Sequence, residues 1–578
     1  MSPTSTCVLA CYIAAPRSWS VVPCSDSPPC EPWGSGTFDD GLNATGWGHL
    51  AVHGDAAGLG AEAMGVVEGY LTARHIQNAY LNNMAFTFGC TNASCVPEPV
   101  ADFMAKQEAW TRGQVAKNLD DTFWQAVGGV MKQYDGMQTG VTLAGVTLPD
   151  HWRWLLNGIG DLFQIIPSVV KSARPNWDAM SRVEKRAKLR EQGHCSGLIK
   201  VLPGLEDLFM GHSSWFEYPN MDRIFKYYSH DGAQMRALLG REDDDASPHV
   251  VSFASYPGYL ESLDDFYMMS SGLGMVQTSN GVPNNTLLDL ITPHSLLAWQ
   301  RVRVASLLAT SGASWYGAFR TAASGTYVNQ YMVVDFNRFT PGAPLREGTL
   351  WVVEEIPGLV AGADQTPTLA RGYWPSYNVP FYAEVYRRSG YAAAFDGEEG
   401  SAAVASSAGG PAAGPAYDGG GAEYTIGAPR AKLMRELHGR VVDRASFETF
   451  MRYANYSDPY ATYADGSVDY GAAICMRGDL EDGGRGKAGG CYDSKVTSAR
   501  GAGWSARELQ ARIVNGPSST ASMSGSVLPP FAWRANDSSH VGLPQTFDFG
   551  WASVGPKGVV AVAAAGGGGA MVEGASSL

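Results

Sequence analysis

Gly193-His194-Cys195-Ser196-Gly197-Leu198-Ile199-Lys200-Val201-Leu202-Pro203-Gly204 joins two unlike pieces of chain. Before Cys195 runs KSARPNWDAMSRVEKRAKLREQGH (171–194), basic and rich in long solvated side chains, which reads as an exposed loop open to nicking. After it, SGLIKVLPG is a short β-type run closed by Pro203-Gly204. Cleavage of the His194–Cys195 bond would leave Cys195 with both a thiol and a free α-amino group. That amine has an ordinary pKa of about 8 and can take the thiol proton near neutral pH. Nucleophile and base then sit on one residue. The other reading of a lone cysteine is a buried small apolar residue without chemistry.

Outward from the junction, the run CSGLIKVLPGLEDLFMGHSSWFEYPNMDRIFKYY (195–228) is joined by other long, unusual windows. They are NATGWGHLAV (43–52), VEGYLTA (67–73), FASYPGYLESLDDFYMMSSGL (253–273), LLAWQRVRVA (296–305), SGTYVNQYMVVD (324–335), RGYWPSYNVPF (371–381), APRAKLMRE (428–436), MRYANYSDPY (451–460) and GGCYDSKV (489–496). In this order, over about 43–549, the chain resembles the phospholipase B-like family, also called the lamina-ancestor family.

The resemblance implies an α+β fold: an αββα sandwich of the N-terminal nucleophile hydrolase type, two antiparallel sheets between helical layers. It implies a likeness in fold to penicillin V acylase, bile-salt hydrolase and acid ceramidase. It further implies a chain cut before the cysteine, with both fragments kept together, in a glycosylated lysosomal or secreted protein. The activity it implies is deacylation of phospholipids, in lipid catabolism. Fold and family do not by themselves settle the substrate.

If SGLIKVL and DLFMGHSSW form a hairpin, the chain returns to the nucleophile near His212 and Trp215. The related acylases carry an arginine and an aspartate at about these places, so His212 and Trp215 are departures. His212 can orient the thiol or amine. Trp215 offers an indole N–H and an apolar wall. Acyl transfer needs donors aimed at the developing oxyanion. Asn329 and Asn378 are the candidates, against the alternative of turn-stabilising asparagines. Arg371 and Arg303 are candidate contacts for a carboxylate or phosphate of the substrate. Asp264 and Asp265 read as helix caps.

The net charge of −14 argues against nucleic acid or an anionic membrane as default partner. The nine cysteines form no C-x-x-C pair, which gives no support to zinc or redox motifs, and no metal or cofactor is expected. Cys90 with Cys95 and Cys475 with Cys491 are placed for local disulfides in an oxidising compartment, the alternative being thiols throughout. Cys195 is the choice for the odd cysteine that stays a thiol. Sequons at Asn43, Asn92, Asn284, Asn455 and Asn536 fit the secretory route, and so a lysosomal or secreted protein. No stretch approaches the roughly 18 apolar residues of a membrane span. CVLACYIAA (7–15) has the length of a signal h-region but no basic residue before it.

In order, residues 1–36 are expected to be irregular or a poor signal peptide. Residues 37–194 read as a mainly helical fragment ending in a cleavable linker at about 171–194, with helices over 57–84, about 100–134 and 151–166. Residues 195–554 read as the nucleophile-bearing fragment, with a low-complexity insertion at about 392–423, and 555–578 as a flexible tail. The expected partners are a small lipid or acyl substrate and the chain's own N-terminal fragment; a homodimer is left open. The alternatives to a phospholipid esterase are an amidase acting on N-acyl amides and a non-catalytic lumenal lipid-binding protein. A serine esterase lacks its G-x-S-x-G elbow, and a metalloenzyme its H-E-x-x-H or C-x-x-C.

Overall fold

The β-branched and aromatic runs after Cys195 become strands, as their composition predicts. The structure, a computed structural model, describes residues 5–14, 17–55, 59–193, 195–240, 247–263, 266–396, 428–455, 458–461, 471–481, 486–519, 527–535 and 537–556. Four strands precede the junction: β1 (Thr6–Ile13), β2 (Ser18–Pro23), β3 (Pro32–Asp39) and β4 (Trp47–Gly54). After it come β5 (Ser196–Val201), β6 (Leu208–Glu217), β7 (Arg223–His230), β8 (His249–Ser255), β9 (Phe266–Met269) and β10 (Leu273–Ser279). These are followed by β11 (Asn329–Asp335), β12 (Leu350–Ile356), β13 (Leu359–Asp364), β14 (Tyr373–Ser376), β15 (Gly489–Ser498) and β16 (Ala511–Asn515). Short strands β17 (Phe531–Ala532), β18 (Thr546–Phe547) and β19 (Ala552–Val554) close the described chain.

Eleven strands form one sheet in the order β13-β12-β11-β10-β9-β8-β7-β4-β3-β1-β2, and six form another in the order β14-β5-β6-β15-β16-β19. Among the described residues every pairing is antiparallel except β4 with β7. Side chains alternate along each strand. In β5 and β6, Ile199, Leu208 and Met210 face the larger sheet and pack on Phe225, Met268, Val276 and Met332. Their neighbours Leu198 and Phe209 face the other way, onto Leu433, Met434, Phe447 and Phe450 of an outer helical layer. The far face of the larger sheet is covered by helices from both sides of the junction. The layers therefore run helix, sheet, sheet, helix: the αββα sandwich of the α+β class.

Helices α1 (Leu42–Thr45), α2 (Gly60–Phe88), α3 (Glu98–Lys117), α4 (Thr122–Leu143), α5 (Trp152–Asn157) and α6 (Ile159–Val169) precede the junction. At Gly65 and Gly136 an added Cβ would lie 2.0 Å from a carbonyl oxygen of the facing helix, so α2 and α4 touch backbone to backbone.

Several expectations need correction. The described residues within 1–36 are not irregular: β1, β2 and the start of β3 extend the larger sheet, and Cys7–Cys24 and Cys11–Cys30 staple them. The pre-junction part is helical, but it also contributes β4 and the rest of β3. The helix expected over 100–134 is two, broken between Lys117 and Thr122 where Asp121 caps the second. The linker 171–194 is not a loop. It holds α7 (Arg182–Gln192), started by a capping box between Ser181 and Glu184 and seated by buried Arg186 and Leu189. Of the low-complexity insertion only 392–396 is described, and of the tail only 555–556. His194, Asp264, Asp265 and Asn536 lie outside the described residues, and the element after Asp265 is strand β9, not a helix.

Candidate active site

Cys195 immediately precedes β5. The hairpin with β6 forms in the expected sense: Gly197 pairs with His212 and Ser196 with Ser213. That register brings Ser214 and Trp215 alongside the junction. On the other edge of β6, β15 pairs Ser214 with Asp493 and His212 with Lys495. The register shifts between Cys491 and Asp493, so Tyr492 is an inserted residue, a bulge of the kind that re-aims a side chain. Tyr492 lines a cavity together with Cys195, Ser214, Trp215, Tyr256 and Tyr327. The cavity holds about 10 Å³, room for roughly one water.

Cys195 is buried and is the one cysteine among the described residues that is not in a disulfide. Its φ is +81°, in the left-handed region where a side chain is strained. Its carbonyl oxygen accepts from Arg430 Nη1 at 2.8 Å. The same Nη1 donates to Ser196 Oγ at 3.1 Å, and Nη2 donates to Asn378 Oδ1 at 2.7 Å. Asn378, itself at φ +69°, donates Nδ2 to Ser279 O at 2.5 Å. A Cβ placed on Gly193 would lie 2.9 Å from Asn378 Cβ, so Asn378 backs directly onto the junction. Arg430 also stacks over the Trp215 ring at 4.2 Å, and the Trp215 indole N–H donates to Ile474 O at 3.1 Å.

Behind Ser214 lies a buried ionic cluster. Lys495 Nζ donates to Ser214 Oγ and, at 2.6 Å, to Asp493 Oδ1. Arg223 Nε stands 3.1 Å from Asp493 Oδ2, an ion pair whose angle does not make a hydrogen bond. Arg223, Asp493 and Lys495 are all fully buried. Arg452 faces the same carboxylate, and burial holds its pKa down to about 10. Of these cations Arg223 comes nearest the cavity, over the rings of its lining residues Tyr256 and Tyr492. A cationic side chain close to a thiol or a reacting carbonyl favours the thiolate and the oxyanion over their neutral forms. His212 Nε2 donates to Gln277 O of β10 at 2.6 Å, and Ser214 Oγ lies 3.4 Å from its Nδ1. His212 thus ties the two sheets together and reaches the cavity through Ser214.

The Phospholipase B family matches this chain over residues 34–401 and 416–554. This chain belongs to that family. Phospholipase B-like 1 of Rattus norvegicus is 39% identical over 540 residues, covering 90% of this chain and 87% of the relative. Phospholipase B of Crotalus adamanteus is 38% identical over 538 residues, covering 90% and 88%. A solved structure, a mutant conjugated bile acid hydrolase from Clostridium perfringens, aligns at 11% identity with 56% of this chain and 89% of its own, at a TM-score of 0.28.

Within this family member, the structure brings together Cys195, Trp215 and Asn378, with His212 one hydrogen bond behind them. It does not bring the other candidates there. Asn329 is buried on β11, donates Nδ2 to Tyr331 Oη at 3.0 Å, and lines no cavity beside Cys195. Arg371 is exposed in the turn before β14. Arg303 is buried on helix Ala298–Leu308 and lines a different cavity. Arg430, Ser214, Asp493, Lys495 and Tyr492 were not picked out from sequence, although Arg430 and the run YDSK stand inside the windows quoted above.

Cys90–Cys95 and Cys475–Cys491 are both bonded. The second sits against Trp215, so it braces the cavity wall. Among the sequons, Asn43 and Asn92 are exposed and Asn455 is half-buried. Asn284 is half-buried, with Nδ2 donated to Arg388 O at 3.1 Å. No helix among the described residues is long and apolar enough to cross a membrane.

Proposed function

We propose that this protein is a phospholipase B-like hydrolase in which Cys195, freed by cleavage of the His194–Cys195 bond, attacks acyl ester bonds of phospholipids. The observation that carries the reading is the setting of Cys195. It is a buried cysteine outside any disulfide, at a strained φ, in the wall of an aromatic cavity, with its carbonyl held by Arg430.

Maturation begins when the Cys195 thiol attacks the His194 carbonyl and the peptide shifts from nitrogen to sulfur. Water then releases the His194 carboxylate and leaves a free α-amine. With the peptide intact no such amine exists, and the cavity has room for little more than one water. The uncut chain is therefore a closed precursor. In the cut chain the α-amine takes the Sγ proton, and the thiolate adds to the ester carbonyl. Arg223, over Tyr256 and Tyr492 in the cavity wall, stabilises the oxyanion. The alcohol leaves with the proton from the ammonium. Water, deprotonated by the same amine, hydrolyses the thioester and releases the fatty acid. Arg430 and Asn378 hold Cys195 at the required angle, while His212 and Lys495 fix Ser214 beside it.

The four disulfides favour an oxidising lumen on the secretory route, lysosomal or secreted. The test is N-terminal sequencing of the purified fragments, followed by turnover of a phospholipid and an N-acyl amide. A fragment beginning at Cys195, faster release from the ester, and one uncut, inactive chain for Cys195→Ala are expected. Undiminished turnover by Cys195→Ala would falsify the reading. A preference for the amide would move it to an amidase with the same nucleophile.

A further inference from the structure

Arg303 is a buried cation with no carboxylate in contact with it among the described residues. It lies on helix Ala298–Leu308, is 1% exposed, and makes no hydrogen bond or ion pair among the described residues. Its guanidinium faces the rings of Tyr228 at 4.8 Å and Phe253 at 5.4 Å. Two buried carboxylates act on it through space without an ion pair: Glu68, already engaged by Lys226 at 2.7 Å and by the Tyr228 hydroxyl, and Glu261. A buried cation left with two partnerless donors, Nε and Nη1, is costly and calls for a counter-group.

The counter-group has a place to go. Arg303 lines a cavity of about 340 Å³, within the size range of small-molecule sites. The cavity lies between α4, helix Gly232–Leu239, the end of β7 and the Arg303 helix. Two more buried polar atoms at its wall lack partners: Gln133 Nε2 and His230 Nε2. Burial pushes the His230 pKa well down, so it offers a neutral imidazole. The rest of the lining includes Ala126, Val130, Met235 and Leu307, which are apolar. This cavity shares no lining residue with the one beside Cys195.

We propose that this cavity is a second ligand site, for an organic monocarboxylate with a compact apolar tail, its carboxylate on Arg303 and Gln133 and its tail among Ala126, Val130, Met235 and Leu307. One guanidinium with neutral donors matches one negative charge. A phosphate would leave charge and oxygens unpaired against the apolar wall. The site is independent of the reaction assigned to Cys195.

The test is titration calorimetry of the full chain with octanoate, 1-octanol and inorganic phosphate, on the native protein, Arg303→Gln and Gly129→Leu. Gly129 lines the same cavity, and a Cβ there meets nothing within 4 Å, so a leucine side chain starts out in open space. Octanoate is expected to bind about tenfold or more tightly than octanol, and to lose about tenfold or more in each variant. If Arg303→Gln fails to fold, Gly129→Leu alone decides. No binding of octanoate, equal binding of octanol or phosphate, or octanoate binding unchanged in the folded variants would each overturn the proposal.

Discussion

Arg430 links three things that are remote in sequence: the Cys195 carbonyl, Asn378 and the face of Trp215. Its contribution is positional, and positional errors of about 1 Å cost roughly a hundredfold in rate. Arg430→Gln is therefore expected to slow appearance of the Cys195 fragment and ester turnover by about ten- to a hundredfold. Pulse-chase of the cut and steady-state kinetics of the cut protein check this, and unchanged rates would remove Arg430 from the site. Cys195 and Trp215 were legible because their surroundings are local: a junction and a hairpin. Arg430 was not, because its partner lies over two hundred residues away and a surface helix carries many arginines. Arg303 shows the opposite failure. An arginine beside the nucleophile was expected, and its helix turns it toward a different cavity.

At the scale of the element, α7 is the helix that leads into the proposed cleavage junction. Its helical start was written in Ser181 and Glu184, a capping box that the many charged residues around it hid. Next to its end, Glu191 faces Glu217 at the end of β6. Burial, opposed by Lys487 and helped by Glu191, raises Glu217 from the ordinary 4.5 to about 7. Below pH 4.5 both folded and unfolded forms hold the proton and Glu217 adds no penalty. Between 4.5 and 7 the folded form keeps a proton that the unfolded form has lost, so stability falls as pH rises through this window. Above 7 the full penalty is present. Glu217→Gln is expected to raise the Tm at pH 8 and leave it unchanged at pH 4.5, read by calorimetry on the uncut Cys195→Ala chain. Equal shifts at both pH values would mean that packing, not titration, sets the effect. The N-terminal strands escaped the reading for a different reason. Pro-, Ser- and Cys-rich chain carries little strand propensity, and β1–β3 are held by two disulfides and by a sheet edge that exists only once β4 has docked.

Across the whole molecule, helices gathered before the junction and strands after it pointed to layers, and the layers are found. Not readable was that the larger sheet is shared. β4 lies parallel to β7 over eight residue pairs, so the chain on either side of the proposed cut continues one sheet. No disulfide crosses that seam: Cys7–Cys24, Cys11–Cys30 and Cys90–Cys95 precede Cys195, and Cys475–Cys491 follows it. The cut protein should separate into two chains on a denaturing gel without reductant, and a single band there would show an unrecognised covalent tie. After dilution from denaturant, the uncut Cys195→Ala chain is expected to regain its structure, while the cut protein should not, because rejoining β4 to β7 has become a meeting of two molecules. The working enzyme would then have no equilibrium to return to. Its endurance in the lumen would be a waiting time for the first opening of that seam, and each copy would survive only until it opens once.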